Sequence, residues 1–148
     1  LEALRLFTIG FTRKSAETFF TLLSDAGVKR VIDVRLNNVS QLAGFARRDD
    51  LRYFLKATCG IDYLHMPELA PTREILDAYR KSKTGWPRCE REFVQLLDRR
   101  QVETRIPRDL MHYGCLLCSE QSPERWHRRL VAEYLLAKWN GIHITHLV

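Results

Sequence analysis

The chain is short of the features that would place it outside ordinary globular proteins. Its 148 residues contain only four cysteines, five prolines, seven glycines and two methionines. Four cysteines (Cys59, Cys89, Cys115 and Cys118) are too sparse for a disulfide framework and read as thiols in a reducing compartment. No apolar run approaches the ~20 residues that a membrane-spanning helix needs. The opening Leu1-Glu2-Ala3 lacks the basic, apolar and small-residue layout of a secretory signal, so the expectation is a cytoplasmic protein. There is no internal repeat, no low-complexity stretch and no run of glycines of the kind that cradles a nucleotide phosphate.

What is present is balanced. Hydrophobic residues make up 45% and charged residues 28%, which excludes general disorder. Twenty-four Lys and Arg against eighteen Asp and Glu leave a formal charge of +6, which favours anionic partners without specifying a fold. A length of 148 residues fits one domain, 1–148, whose core needs no metal or crosslink.

Strand-like and helix-like patterns alternate along the chain. Leu4 to Ile9 is a short apolar run stopped by Gly10. Ser15 is placed to cap a helix carrying Ala16, Phe19, Phe20 and Leu23, closed by Gly27. Residues 30–35 form a β-branched run suited to a strand buried on both faces. Strand, helix and strand within about 30 residues make a βαβ unit and predict a parallel sheet. Residues 36–48 read as a loop. Asp49 or Asp50 then caps a helix through Cys59, with Leu51, Phe54 and Leu55 facing inward. A short strand follows over 61–66, closed by Pro67. Thr72 caps a helix to about Lys83, Pro87 opens another carrying Phe93, Val94 and Leu97, and 101–112 reads as irregular. The final unit is a buried strand over 113–118, a helix with Ser122 as N-cap and Pro123 at N1, a stop at Gly141 and a last strand over 142–147. The fold expected is a single α/β domain of Rossmann-like type. Its sheet is mostly parallel, with about four or five strands flanked by helices.

In such sheets ligands bind outside the carboxyl ends of the strands. Those ends carry Thr8, Gly10 and Thr12; Asp33 and Arg35; His65 and Glu68; and Cys118, Glu120 and Ser122. Two readings stand for Asp33 and Arg35. The guanidinium grips a phosphate or carboxylate bidentately, or the two side chains, on one face of a strand, form a structural ion pair. Cys118 before a helix N-terminus, with His127 and Arg128 beyond, has the setting of a nucleophile, with Glu120 as acid or base. The bland alternative is a small buried thiol. Cys115 and Cys118, three apart on a strand, point to opposite faces and cannot share a disulfide or a metal. No metal and no cofactor are expected. The arginines at 99, 100, 105, 108, 125, 128 and 129, with Trp86, Tyr113 and Trp126, leave nucleic acid as an alternative partner. The oligomeric state is not legible.

The ordered rim motifs resemble a known family. Thr8-Ile9-Gly10-Phe11-Thr12, Asp33-Val34-Arg35, Tyr63-Leu64-His65-Met66-Pro67-Glu68-Leu69 and Cys118-Ser119-Glu120 with Pro123, His127 and Arg128 are similar to the domain-of-unknown-function family numbered 488. The resemblance implies one α/β domain of bacterial or archaeal type and no established activity. It also places the family's polar pattern on Thr8, Gly10, Asp33, Arg35, His65, Cys118, Glu120, His127 and Arg128. Three positions depart from that pattern. Trp126 stands where the family has a second cysteine, Asn38 where it often has proline, and Phe11 where it has tyrosine or histidine. The combined expectation is a small anionic ligand at the rim. Thr8, Gly10, Asp33, Arg35, His65, Ser122 and Arg128 would bind it, and Cys118, Glu120 and His127 would supply any catalysis.

Overall fold

The computed structural model describes residues 3–36, 44–80, 85–118 and 127–148. Five strands, β1 (Leu4–Gly10), β2 (Arg30–Asp33), β3 (Asp62–His65), β4 (Gly114–Cys118) and β5 (Ile142–Leu147), form one all-parallel sheet in the order β3-β2-β4-β1-β5. The α/β architecture and parallel pairing follow the expectation. β1 and β4 are the most deeply placed strands. Every residue of β4 is buried, and in β1 only Arg5 is exposed, as the largely apolar make-up of strands covered on both faces requires.

Period-two alternation divides the core in two. On one face Leu4, Leu6, Ile32, Val34, Leu116 and Cys118 pack against α4 (Trp86–Arg100) and α7 (His127–Lys138). On the other, Phe7, Ile9, Val31, Cys115 and Leu117 pack against α1 (Ala16–Ala26) and α2 (Arg48–Phe54). Cys115 and Cys118 thus lie in different cores, as the strand geometry predicts. Ser15 caps α1 by accepting the Thr18 amide at 3.1 Å, and Gly27 ends it at φ 77°, donating to the Leu23 and Ser24 carbonyls. Thr72 caps α3 (Arg73–Arg80) through the Ile75 amide. The expected end of that helix near Lys83 lies outside the described residues, as does the start at Ser122 of the helix whose described part is α7.

Several local expectations are corrected. The N-cap of α2 is Arg47, with Asp49 and Asp50 in the first turn, where carboxylates complement the helix dipole without capping. The helix passes at Phe54 into a π-helical turn, Leu55–Cys59. Leu51 and Leu55 are fully buried, whereas Phe54 is 37% exposed and stacks edge-on with Phe20 and Tyr53. Residues 101–112 are not irregular: they hold two short helices, α5 (Val102–Arg105) and α6 (Arg108–Met111), which bury Val102 and Met111. Residues 36–48, read as a loop, include a 3-10 turn at Gly44–Ala46. Among the described residues no helix is long and apolar enough to cross a membrane.

Candidate functional site at the carboxyl rim

Strand order creates a topological switch point. The connection leaving β1 runs through α1 on one face, and the connection leaving β4 returns through α7 on the other. β1 and β4 are neighbours, with Gly10 opposite Cys118 in register. Connections that part to opposite faces open a crevice beyond the strand ends, where ligands of open α/β sheets bind.

Arg128, in the first turn of α7, is fully buried and lays its guanidinium against Gly10 at the end of β1. Its Nη1 donates to Cys118 Sγ at 3.5 Å. A Cβ at Gly10 would stand 2.8 Å from Nη1 and 3.4 Å from Cζ, so the absence of a side chain there is what lets the guanidinium approach the strand. Two further basic groups feel this charge. Burial and then Arg128 hold the Lys14 ammonium below its ordinary range, on the turn that leads into α1. On β5, His146 lies opposite Thr8, and its Nδ1 is 2.6 Å from Thr8 Oγ1. Burial and Arg128 likewise hold the His146 imidazole below the usual histidine range; Glu133 opposes this and Arg129 adds to it.

The second group lies across the sheet. Asp33 and Arg35 form a buried bidentate pair, Nε to Oδ1 and Nη2 to Oδ2, both at 2.8 Å. Asp33 also accepts the Arg35 amide at 3.0 Å and the Tyr63 hydroxyl at 2.5 Å. Both charges are therefore held by an ion pair of the kind the strand spacing allows. The pair does not use the whole guanidinium: Arg35 Nη1 is buried and finds no hydrogen-bond acceptor among the described residues. The Arg35 Cζ sits 5.5 Å from the centre of the Phe11 ring. His65 Nε2 lies 2.9 Å from the Arg35 carbonyl, which makes it the protonated nitrogen. Arg35 and Cys118 belong to opposite faces, but the two groups border adjacent residues of the chain. Arg128 lies against Gly10, and Arg35 lies over Phe11.

The structure thus gathers Thr8, Gly10, Cys118 and Arg128 on one side of the β1 end, and Asp33, Arg35 and His65 on the other. His127 packs toward α4, edge-on to Trp86 and Phe93, with Nε2 4.0 Å from Cys89 Sγ. Glu120 and Ser122 lie outside the described residues. Sequence reasoning missed Tyr63, Lys14 and His146. Tyr63 heads the motif shared with the family, two residues before His65 on the same face of a strand, but was not singled out as a site residue, and His146 becomes visible only once β5 is known to pair with β1. Among the described residues no group of His, Cys, Asp and Glu is placed to hold a metal ion.

Several arginines that suggested a nucleic-acid surface are engaged internally. Arg100 donates to the Glu68 and Ala70 carbonyls, Arg108 to the Asn140 carbonyl, and Arg129 pairs with Glu133. A separate groove of about 520 Å³ between α4 and α7 is edged by Glu90, Asp98 and Glu133, the wrong sign for an anion.

A family model described as "Domain of unknown function DUF488" matches residues 15–135. No curated protein and no solved structure gives a significant match.

Proposed function

The chain belongs to the DUF488 family, and from the arrangement at its rim we propose that it binds a small ligand carrying a phosphate or carboxylate in the crevice between the ends of β1 and β4. The observation that carries this reading is the buried Arg128 guanidinium laid against Gly10 at the switch point. The charge of a buried guanidinium acts strongly on its surroundings, because little water is there to screen it. Lys14 and the N-terminus of the eleven-residue α1 add positive potential on the same turn. Arg35 Nη1 supplies a further donor beside Phe11. Thr8, Asp33 and His65 are positioning residues: Thr8 meets His146, Asp33 clamps Arg35, and His65 ties the Arg35 carbonyl. Ser122 is assigned as a ligand contact on its place in the sequence.

An enzymatic extension assigns Cys118 as nucleophile, because a guanidinium donating to sulfur stabilises negative charge on it. Glu120 serves as acid or base in that extension. His127, packed on α4, steadies the first turn of α7 that carries Arg128.

The test is titration of the ¹⁵N-labelled protein with inorganic phosphate, sulfate and pyrophosphate. The expected result is saturable movement of the Gly10, Phe11, Thr12 and Cys118 amides, weakened by Gly10→Ala. Absence of any saturable shift at the rim overturns the reading.

A further inference from the structure

The anion reading takes no account of His146, although the fold brings it to the same crevice. Thr8 and Gly10 are two apart on β1 and face the same side, so the Thr8–His146 contact and the Gly10–Arg128 contact are about 7 Å apart along one strand. β5 is an edge strand, and His146 at its carboxyl end keeps part of its surface in solvent while its ring is partly buried against Thr8, so the ring is within reach of protons from solvent. Thr8 Oγ1, its partner on β1, is suited to either charge state. A threonine hydroxyl donates to Nδ1 of a neutral imidazole and, after rotation, accepts from Nδ1–H of an imidazolium. No packing need change when the proton arrives.

Resting on the anion-binding reading, we propose that His146 is the proton-accepting member of that site. An anion seated against Arg128 draws one proton from solvent onto the imidazole, and the site thereby prefers a dianion to a monoanion. In the absence of a ligand burial opposes protonation first and the Arg128 charge second, with Arg129 behind it, and Glu133 on the same helix favours it only in part. From β1 the facing group is the neutral Thr8 hydroxyl. A dianion placed on Arg128 cancels the opposing charge and leaves a negative charge over. The imidazolium then becomes the third cation around the ligand, with Arg128 and Lys14. The step is a proton uptake only; no covalent bond to the ligand forms or breaks.

Sulfate is the suitable probe, because it remains a dianion throughout the range in which histidine titrates. Sulfate affinity of the full chain, measured against chloride at constant ionic strength, is expected to rise as pH falls through the imidazole range. The limit for one linked proton is about tenfold per pH unit. The His146 ring resonances, assigned with His146→Gln, are expected to titrate at higher pH in saturating sulfate than in chloride. The variant is expected to bind sulfate with most of that pH dependence removed. If sulfate binds but the His146 titration does not move, or His146→Gln keeps the full pH dependence, this inference fails and the anion site stands. If sulfate shows no saturable binding at any pH, the anion site fails and this inference with it.

Discussion

Replacing Asp33 by asparagine tests how the rim is held. In the native fold the Asp33 carboxylate is completely buried and answers Arg35 Nε, Arg35 Nη2, the Arg35 amide and the Tyr63 hydroxyl. Asparagine keeps the shape but removes the charge and turns one acceptor into a donor. The Arg35 guanidinium, only 4% exposed, is then left in the interior without a counter-ion, and it cannot relieve the strain by losing a proton. Breaking a buried pair from one side costs about 3–5 kcal/mol. Against a total stability of about 5–15 kcal/mol that is a severe loss. At 148 residues each kcal/mol lowers Tm by about 2–4 °C, so the expected fall is about 6–20 °C. Arg35→Met is expected to cost less. Asp33 retains the Tyr63 hydroxyl and the backbone N–H at residue 35 as donors. Urea unfolding followed by circular dichroism measures both, with the m-value as a check that the unfolded state is unchanged. A loss below about 1 kcal/mol for Asp33→Asn, the range of an exposed pair, would refute the claim that this pair is a buried anchor of the rim.

Three further outcomes follow from the geometry. Gly10→Ala drives a methyl group to within 2.8 Å of Arg128 Nη1; the guanidinium end yields before the backbone does. The expected cost is about 1–3 kcal/mol of stability, together with weaker sulfate binding, read by melting and by titration. Alkylation mapped by mass spectrometry should modify the partly exposed Cys59 first. Cys115, whose thiol burial pushes upward, should react only on unfolding. Sulfate should slow Cys118 and leave Cys59 unaffected. Because burial and Arg128 hold His146 down, the unfolded chain binds that proton more readily than the native one. Native stability in chloride should therefore fall as pH drops through about 6.5, the unfolded value, and His146→Gln should flatten that part of the profile.

The sequence is legible where local chemistry settles the structure, and opaque where pairing does. β1, β2 and β4 announce themselves because strands covered on both faces need near-continuous apolar runs, and Leu4–Ile9 (interrupted by Arg5 and Thr8), Val31–Ile32 and Cys115–Cys118 supply them. Ser15, Gly27 and Thr72 mark helix ends because caps are local hydrogen bonds. Phe54 misleads because a π-helical turn follows directly and Phe20 offers its ring an edge contact at the surface. A helical wheel carries neither fact. The Asp33–Arg35 pair lies within reach of a sequence argument, since residues two apart on a strand share a face. Its partner Tyr63 does not, because nothing local says that β3 lies beside β2. The same limit conceals the switch point. Apolar stripes on α1 and α7 show that each helix packs on the sheet, but not on which face, and the opposite choice would have closed the crevice. Only when β4 is inserted between β2 and β1 do Gly10 and Cys118 become neighbours. Only with β5 on the far side of β1 does His146 reach Thr8. The separate rim residues are therefore visible in the sequence, but which of them meet beside the end of β1 depends on strand order, set by contacts spanning more than a hundred residues.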